Sequence, residues 1–357
     1  MKIRNNILKL FIVLTTLSLL FTGCGYTVEE LMLIGQYKVV GKANAIKYIQ
    51  GKYGFTPKVI DVKNEYNEDA TVPDFTPMPY GDVMVTMQYQ QKVFKVEIDG
   101  SAEGANGSDD YQKEEILAYL NSYIKSKYPM VDEVSFPFME KDYGLFSTYF
   151  TGTNFQDYIV PDDYRSQIIL KLYDKDVNVF PADDFTKKIP CNQLSIINYK
   201  NKNKMPNPED LGFFSGWKIR DIQPYIKQYK YFERTANGDY ESDYVEVYST
   251  TYDNMLICTL QDVPVIVEKT KNTYSPDSYY GKCISSYHVQ TNAEDVCIYI
   301  PKNVITDNQK LYIFACQYGD ELLYENEEYY YFDDPYIKDD TDDFESSFSF
   351  SCFANNK

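Results

Sequence analysis

Short runs of alternating apolar and polar residues fill the second half of the chain, and they constrain its fold more than any other feature. In residues 347–352, Phe348, Phe350 and Cys352 alternate with serines. Successive side chains of a β-strand point to opposite faces, so this run predicts a strand that is paired into a sheet. Comparable runs lie at residues 167–173, 229–234, 244–250, 255–260, 263–268, 296–300 and 311–318. Many short strands with turns between them predict a β-rich, sandwich-like region.

The first part of the chain combines helical and strand patterns. Apolar residues repeat at helical spacing in residues 43–53 and 111–127, and Gly54 follows the first helix where a C-terminal cap belongs. Strands are expected at residues 57–66, 82–89 and 93–98. The Gly- and Ser-rich residues 100–108 predict a flexible connection. This order predicts a small antiparallel sheet with helices on one face.

The N-terminal residues predict export. Lys2, Arg4 and Lys9 precede residues 10–21, in which nine of twelve residues are apolar. A membrane-spanning helix needs about 20 apolar residues, so this segment is too short to span a bilayer. A basic start, a short apolar stretch and small residues together are typical of a secretion signal, which we expect to be residues 1–23.

Residues 20–24, with the sequence Leu-Phe-Thr-Gly-Cys, resemble the lipobox of bacterial lipoproteins. Thr22 and Gly23 match its small residues and Cys24 matches its acceptor cysteine, whereas Phe21 stands where that family usually has Leu. The resemblance implies fatty acylation of Cys24, for example with palmitate, on the extracytoplasmic face of the membrane. Two or more acyl chains give stable anchoring. The whole chain is similar to uncharacterised lipoproteins of Gram-positive bacteria, which implies no activity.

The expected architecture is α+β in four segments. They are a signal peptide at residues 1–23, a tether at 24–42 that is compatible with a helix, an α+β domain at 43–130 and a β-rich domain at 131–357 that contains one or two subdomains. A mature chain of this length suffices for two or three packed cores.

The composition excludes one class of partner and disfavours another. The chain has 53 Asp and Glu against 35 Lys and Arg, which gives a net charge of −18. Nucleic acid phosphates repel a protein this acidic, so we expect no nucleic-acid partner. The 36 tyrosines suit half-buried strands and wet interfaces, whereas Trp217 is the only tryptophan. Sugar-binding platforms tend to use tryptophan, so a dedicated carbohydrate module is disfavoured, although tyrosine stacking stays open.

Six cysteines remain besides the one in the lipobox. They are Cys191, Cys258, Cys283, Cys297, Cys316 and Cys352. Outside the cytoplasm this even number is compatible with three disulfides. Several of them alternate with aromatic residues, which instead favours small apolar side chains on buried strand faces. We favour free buried thiols and keep disulfides as the alternative.

The sequence predicts no catalytic residue. His288 is the only histidine, and Cys283 lies five positions before it, so the two would point to opposite faces of one strand. The serine–lysine pattern of penicillin-recognising enzymes occurs at Ser122 and Lys125 and at Ser215 and Lys218. The companion motifs of those enzymes are absent, so this pattern alone carries little weight. The chain is therefore more typical of a non-enzymatic protein.

The most acidic part of the chain is residues 320–345, which contain twelve Asp or Glu and the single base Lys338. Carboxylate oxygens at this density are a candidate Ca²⁺ site, although the EF-hand spacing is missing. A docking surface for a basic or amine-bearing partner and a solvated loop are the alternatives. The candidate residues are Asp333, Asp334, Asp339, Asp340, Asp342 and Asp343.

Three functions are compatible with these observations. The first is a lipid-anchored interaction module at the cell surface that contacts the membrane through its acylated cysteine and binds a protein or cell-wall partner. The second is a solute-binding lipoprotein of a transporter, although such proteins alternate strands with helices and few helices are expected after residue 130. The third is a cell-envelope hydrolase, for which no assembled motif is present.

Overall fold

The computed structural model describes residues 28–66, 79–104, 106–140, 144–152, 154, 157–159, 166–208, 219–271, 282–293, 296–304, 309–315, 324–333 and 346–356. The protein is α+β and mostly β. It forms two compact units, of which the first comprises residues up to Leu120 together with Phe138–Tyr158. The second comprises Asn121–Pro137 and the residues from Ile159 onward. This division differs from the expected boundary at residue 130, because residues 138–158 belong to the first unit.

The first unit contains helix α1 and the four-stranded sheet A. Helix α1 spans Val28–Tyr53, and the strands are β1 (Lys58–Tyr66), β2 (Pro79–Tyr89), β3 (Lys92–Asp99) and β4 (Gly107–Asp109). The strands lie in the order β1-β2-β3-β4, and each pairs antiparallel with the next. Helix α1 and β1 to β3 confirm the expected elements, and Gly54 ends the helix with a φ of +78°. The expected flexible connection is only partly correct, since its end forms β4.

Helix α1 packs on one face of sheet A. Ala45, Tyr48 and Ile49 contact a core from the strands that contains Val83, Val85, Met87, Phe94, Val96 and Ile98. The alternation of the strands therefore places one set of side chains under the helix. The helix begins at Val28, so residues 28–42, which we expected to be part of the tether, are helical. Most of these residues are exposed, which explains why they show no strong apolar stripe.

Three further helices and fourteen strands complete the described elements. The helices are α2 (Lys113–Lys127), which begins in the first unit and ends in the second, α3 (Pro137–Glu140) and α4 (Ala182–Lys188). The strands are β5 (Glu133–Ser135), β6 (Gln167–Tyr173), β7 (Gln193–Tyr199), β8 (Ile226–Arg234), β9 (Tyr240–Glu246), β10 (Tyr248–Tyr252), β11 (Met255–Thr259), β12 (Val265–Thr270), β13 (Lys282–Thr291), β14 (Val296–Pro301), β15 (Gln309–Ala315), β16 (Tyr324–Glu325), β17 (Tyr329–Asp333) and β18 (Ser346–Asn356). None of the helices in this described part combines the length and the apolar character that crossing a membrane requires.

Sheet B has the order β5-β6-β7-β8-β9. Strands β6 and β7 run parallel and are joined through α4, whereas the other neighbours are antiparallel. The sequence did not predict α4 or β7. Strand β7 is buried on both faces, and Ser195 and Asn198 interrupt its apolar residues, so it shows no alternation. Residues 244–250, expected to be one strand, are two. The chain leaves sheet B at Val247, whose N–H donates to the Lys227 carbonyl.

The last two sheets are antiparallel. Sheet C has the order β10-β11-β14-β17-β16 and sheet D the order β12-β13-β18-β15. One buried cluster contains Met255, Ile257, Ile298 and Phe332 from sheet C together with Tyr287, Val289 and Phe350 from sheet D. The other face of sheet C shares a second cluster with sheet B. Strand β18 confirms the expected pairing of the C-terminal run, since it lies between β13 and β15.

Candidate interaction surface

Most of the site residues expected from the sequence lie outside the described residues. This applies to Cys24, to the signal peptide, and to Asp334, Asp339, Asp340, Asp342 and Asp343. Asp333 is the last residue of β17. The lipidation and the Ca²⁺ or docking role of this segment therefore stay predictions. The described part of the chain contains no group of three or more His, Cys, Asp or Glu side chains that could hold a metal ion.

The cysteines that the structure describes are free and buried. They are Cys191, Cys258, Cys283, Cys297 and Cys352, and they confirm the expectation of buried thiols, whereas Cys316 lies outside the described residues. Burial raises the pKa of the Cys191, Cys258 and Cys352 thiols to about 12. Thiols that hold their protons this strongly are poor nucleophiles at neutral pH.

His288 and Cys283 lie on the same strand, β13, but they have different partners. The Cys283 thiol contacts the Ser286 hydroxyl at 3.6 Å, whereas His288 Nδ1 lies 2.9 Å from the Ser349 hydroxyl. The Gln290 amide nitrogen lies 3.4 Å from His288 Nε2. Which ring nitrogen donates depends on the tautomer of the imidazole. The Cys283 thiol and the His288 ring contact different serines, so the cysteine and the histidine are not arranged as a catalytic dyad.

The serine–lysine pattern is also not assembled into a site. Ser122 and Lys125 lie on helix α2, three positions apart on one face, and both side chains are partly exposed to solvent. Ser122 is exposed and Lys125 is half-buried, and neither side chain belongs to an assembled group of catalytic residues in the described part of the chain. Ser215 and Lys218 lie outside the described residues.

The most strongly organised polar group of the first unit is Asp109, at the end of β4. Its side chain is completely buried. Oδ2 accepts hydrogen bonds from Lys52 Nζ at 2.7 Å and from the Tyr48 hydroxyl at 2.9 Å. Oδ1 accepts from the Tyr53 hydroxyl at 2.8 Å and from the Tyr111 N–H at 2.9 Å. Four donors thus saturate the carboxylate, as a buried charge requires.

Helix α1 supplies three of these four donors. Residues 48 and 52 are four positions apart and therefore share one helix face, and residue 53 is adjacent to it. Lys52 also donates to the Phe146 carbonyl at 2.6 Å, and the Phe146 backbone pairs with that of Asp109. The C-terminal end of the helix, strand β4 and the segment around residue 146 are therefore held together at one point.

Burial controls the protonation states at this centre. It lowers the pKa of the Lys52 ammonium below its usual value, although attraction to Asp109 opposes the shift. Burial, reinforced by the same carboxylate, raises the pKa of the Tyr48 and Tyr53 hydroxyls well above their usual value. Both tyrosines therefore remain neutral donors in the physiological range. Because every acceptor position of the carboxylate is occupied, this centre holds structure and leaves no group to transfer a proton to a substrate.

A cluster of partly exposed aromatic rings lies around this centre. We call it the aromatic surface, and it consists of Tyr53, Phe55, Tyr89, Tyr111 and Tyr149. The rings of Phe55 and Tyr89 are stacked with centroids 3.8 Å apart. The Tyr53 ring lies 4.9 Å from that of Tyr111 and 5.6 Å from that of Tyr149, which is 49% exposed. Below them, the buried Phe94 ring contacts both Phe55 and Tyr111.

The edge of the aromatic surface is charged. Lys92 Nζ lies 5.4 Å from the centre of the Tyr111 ring and 3.1 Å from the Glu114 carboxylate. Aromatic and charged groups in this arrangement offer ring faces for apolar contact, hydroxyls for hydrogen bonds and a cation over a ring. Such a surface can bind a partner, and it provides no nucleophile.

Sequence reasoning did not find this site, although one signal was present. Tyr48, Lys52 and Tyr53 stand at helical spacing, which places a hydroxyl and an ammonium on one face. Their acceptor is 57 residues away from Lys52, at the end of a three-residue strand whose first two residues belong to the stretch that we expected to be flexible. Long-range partners of this kind leave no local pattern.

Comparisons of the chain with protein-family models, with curated proteins and with solved structures found no match. The function is therefore argued from the chemistry of these residues and from the N-terminal resemblance to lipoproteins.

Proposed function

We propose that this protein is a lipid-anchored, extracytoplasmic interaction protein whose first unit binds a protein partner through the aromatic surface. One observation carries the proposal: five aromatic rings joined by ring contacts stay partly exposed, and a saturated, buried carboxylate fixes the Tyr53 hydroxyl and the Tyr111 backbone among them. Rings that are already fixed lose little conformational entropy on binding, and tyrosines of this kind carry much of the energy of protein interfaces.

The proposed location rests on the N-terminal segment. The basic residues, the short apolar stretch and the lipobox-like residues 20–24 support export and acylation of Cys24. The described part of the chain begins with helix α1 at Val28, four positions after that cysteine. An anchor at Cys24 would therefore hold the first unit within roughly 14 Å of chain length from the membrane.

The proposed scaffold has two parts. The first is a small antiparallel sheet with helices on one face, which is supported by the packing of α1 on sheet A. The second is a sandwich-like β region, which is supported by the buried cluster that sheets C and D share. Rigid sheets of this kind suit a protein that presents a surface rather than one that closes around a substrate.

The hydrolase alternative has less support among the described residues. The His288 ring contacts Ser349 whereas the Cys283 thiol contacts Ser286, and the Asp109 carboxylate is saturated with donors. The cysteine–histidine pair is therefore not assembled, and the carboxylate has no free position at which to accept a proton from a nucleophile. A solute-binding role would need a ligand site away from the aromatic surface.

A photo-crosslinking experiment in the native host tests the proposed interaction. Tyr149 is replaced by the photoreactive residue p-benzoylphenylalanine, which keeps an aromatic ring at the most exposed position of the aromatic surface. Irradiation of intact cells should give one or a few discrete adducts with another protein. The substitution Tyr89→Ser in the same chain should reduce their yield, because it removes a ring that stacks at the centre of the surface.

The control places the same photoreactive residue at Val179, which is 67% exposed and belongs to the second unit. Equal adducts at both positions would mean nonspecific capture and would contradict the proposal. So would the absence of adducts at Tyr149, or adducts with polysaccharide alone. Labelled palmitate incorporation, lost in Cys24→Ala, tests the proposed anchor separately.

A further inference from the structure

One register row of sheet B has an unusual composition. Gln167 on β6 pairs with Gln193 on β7, Gln193 pairs with Glu233 on β8, and Glu233 pairs with Glu241 on β9. Paired residues on neighbouring strands point to the same face. The row therefore places two amides and two carboxylates side by side on one face, with no base among them. We call it the acceptor row.

Exposure to solvent increases steadily along the acceptor row. Gln167 is only 7% exposed, Gln193 and Glu233 are half-buried, and Glu241 is exposed. Neighbouring strands lie about 4.8 Å apart, so the four positions extend over roughly 14 Å. The row thus leads from solvent at the β9 edge to a buried end at β6.

The buried end of the row contains acceptors without donors. Oε1 of Gln167 and Oε1 of Gln193 are both buried and neither has a hydrogen-bond partner. The orientation of the Gln193 amide is fixed, because its nitrogen donates to the Glu233 carboxylate at 3.2 Å and a carboxylate can only accept. A buried carbonyl oxygen with no donor is destabilising, so proteins seldom keep two of them on neighbouring strands without a use.

The chemistry of the acceptor row defines what would complete it. Two carbonyl oxygens and a carboxylate all accept hydrogen bonds. Their complement is a positively charged group that only donates hydrogen bonds, such as a primary ammonium. The second carboxylate, at the exposed end, would attract a second ammonium on the same molecule. The length of the row suits an unbranched chain between the two charges.

We infer that the acceptor row is a binding site for linear polyamines, with one terminal ammonium held by Gln167, Gln193 and Glu233 and the rest of the chain lying toward Glu241. This inference concerns the second unit and does not depend on the aromatic surface. It would give the protein a solute-binding role in addition to the proposed interaction.

Calorimetric titration of the purified full-length protein with spermidine tests the inference. Glu233→Gln should weaken spermidine binding by roughly tenfold or more, because a charge-assisted hydrogen bond contributes about 1.5–3 kcal/mol. Butylamine, which has one ammonium, should bind more weakly than spermidine. Glu268→Gln is the matched control, since it removes the same charge from an exposed position on β12 in sheet D.

A second variant separates binding from folding. Gln167→Leu replaces an unpartnered buried oxygen with an apolar group of similar size, so its melting temperature without ligand should not fall. The rise in melting temperature that spermidine causes in the original protein should be lost in this variant.

Three results would overturn the inference. The first is equal weakening by Glu268→Gln, which would indicate diffuse attraction of polyamines to an acidic protein. The second is unchanged spermidine binding by Gln167→Leu. The third is stabilisation by Ca²⁺ or K⁺ but not by spermidine, which would assign the row to a metal ion.

Discussion

Asp109 is the residue on which the geometry of the first unit most depends. It is the common acceptor for Tyr48, Lys52 and Tyr53 of α1, and it lies in the interior with Lys52, whose side chain is 7% exposed. Removing one member of a buried, hydrogen-bonded ion pair leaves the other charge without compensation, which is more costly than losing an exposed pair.

We expect Asp109→Ala to lower the free energy of unfolding by about 3–5 kcal/mol, since it leaves the Lys52 ammonium and two tyrosine hydroxyls without their acceptor. Urea denaturation of the purified protein measures the effect. The control is Asp61→Ala, because Asp61 is exposed and accepts only from the adjacent Val62 N–H. A loss at Asp109 no larger than that at Asp61 would show that the buried network does not stabilise the unit.

Residue identity alone could not predict this network. The helical spacing of Tyr48 and Lys52 was visible, but an exposed helix face carries such pairs equally often. Whether such a pair belongs to a buried network or to an exposed helix face depends on the burial of that face. Its burial depends on Phe146 and on β4, which are distant in the sequence. The acceptor row escaped notice for a related reason, because its four members come from four strands.

The contact between α1 and sheet A depends on a glycine. A Cβ atom at Gly41 would lie 2.0 Å from Val83 Cγ2, in the core of the first unit. At Gly51 of the same helix, no atom lies within 4 Å of such a Cβ. Both glycines lie in the same helix, so the difference between them is that Gly41 faces the core and Gly51 faces open space.

We expect Gly41→Ala and Gly51→Ala to change stability in opposite directions. Overpacking at Gly41 should destabilise the protein by about 1–3 kcal/mol, because Val83 is packed and cannot withdraw. At Gly51, alanine should stabilise by about 0.5–1 kcal/mol through its higher helix propensity. Thermal unfolding of the two variants in parallel measures this difference, and a stabilising Gly41→Ala would mean that α1 does not pack closely on the sheet.

Strand β18 holds sheet D together. It pairs with β13 on one side and with β15 on the other, and those two strands do not pair with each other. We expect deletion of residues 346–357 to unfold the C-terminal sheets, because it removes Phe350 and Cys352 from the shared core as well as both strand pairings. Circular dichroism melting of the truncated chain provides the measurement, and a melting temperature equal to that of the full chain would refute this role.

Strands β2 and β3 could be predicted because one face of each contacts a core and the other is partly exposed, and this alternation is visible in a sequence. Strands β6 and β14 are almost entirely buried, and short apolar runs predicted them instead. Strand β7 is also buried on both faces, but Ser195 and Asn198 interrupt its apolar residues, so it shows neither signal. The division of residues 244–250 between two sheets was also invisible, since both pieces alternate and only tertiary contacts decide where the chain changes sheet.

At the scale of the whole molecule, buried thiols and tyrosines make the fold sensitive to alkali. Burial raises the pKa of Cys191, Cys258 and Cys352 from 9.0 to about 12, and that of Tyr158 and Tyr240 from 10.0 to about 12. Above pH 9 the unfolded chain therefore releases protons that the folded chain retains. Stability from these groups is complete below their unfolded pKa values and decreases as the pH rises toward 12.

We expect the melting temperature to fall steadily from pH 9 upward. The buried tyrosines should contribute tyrosinate absorbance only when the protein unfolds. Melting curves recorded across this range with ultraviolet detection measure both effects. A flat melting temperature through the range, or full titration of all tyrosines in the native state, would show that these side chains are accessible to solvent.

The position of β18 also determines when sheet D can form during synthesis and folding of the chain. A polypeptide is synthesised from its N-terminus, and β18, which lies between β13 and β15 in sheet D, is made after the other three strands of that sheet. Before β18 is present, β13 and β15 have no strand between them to pair with, so sheet D is incomplete. Sheet D can therefore form its complete set of strand pairings only after β18 has been synthesised, and a chain halted before β18 leaves β13 and β15 unpaired on that side.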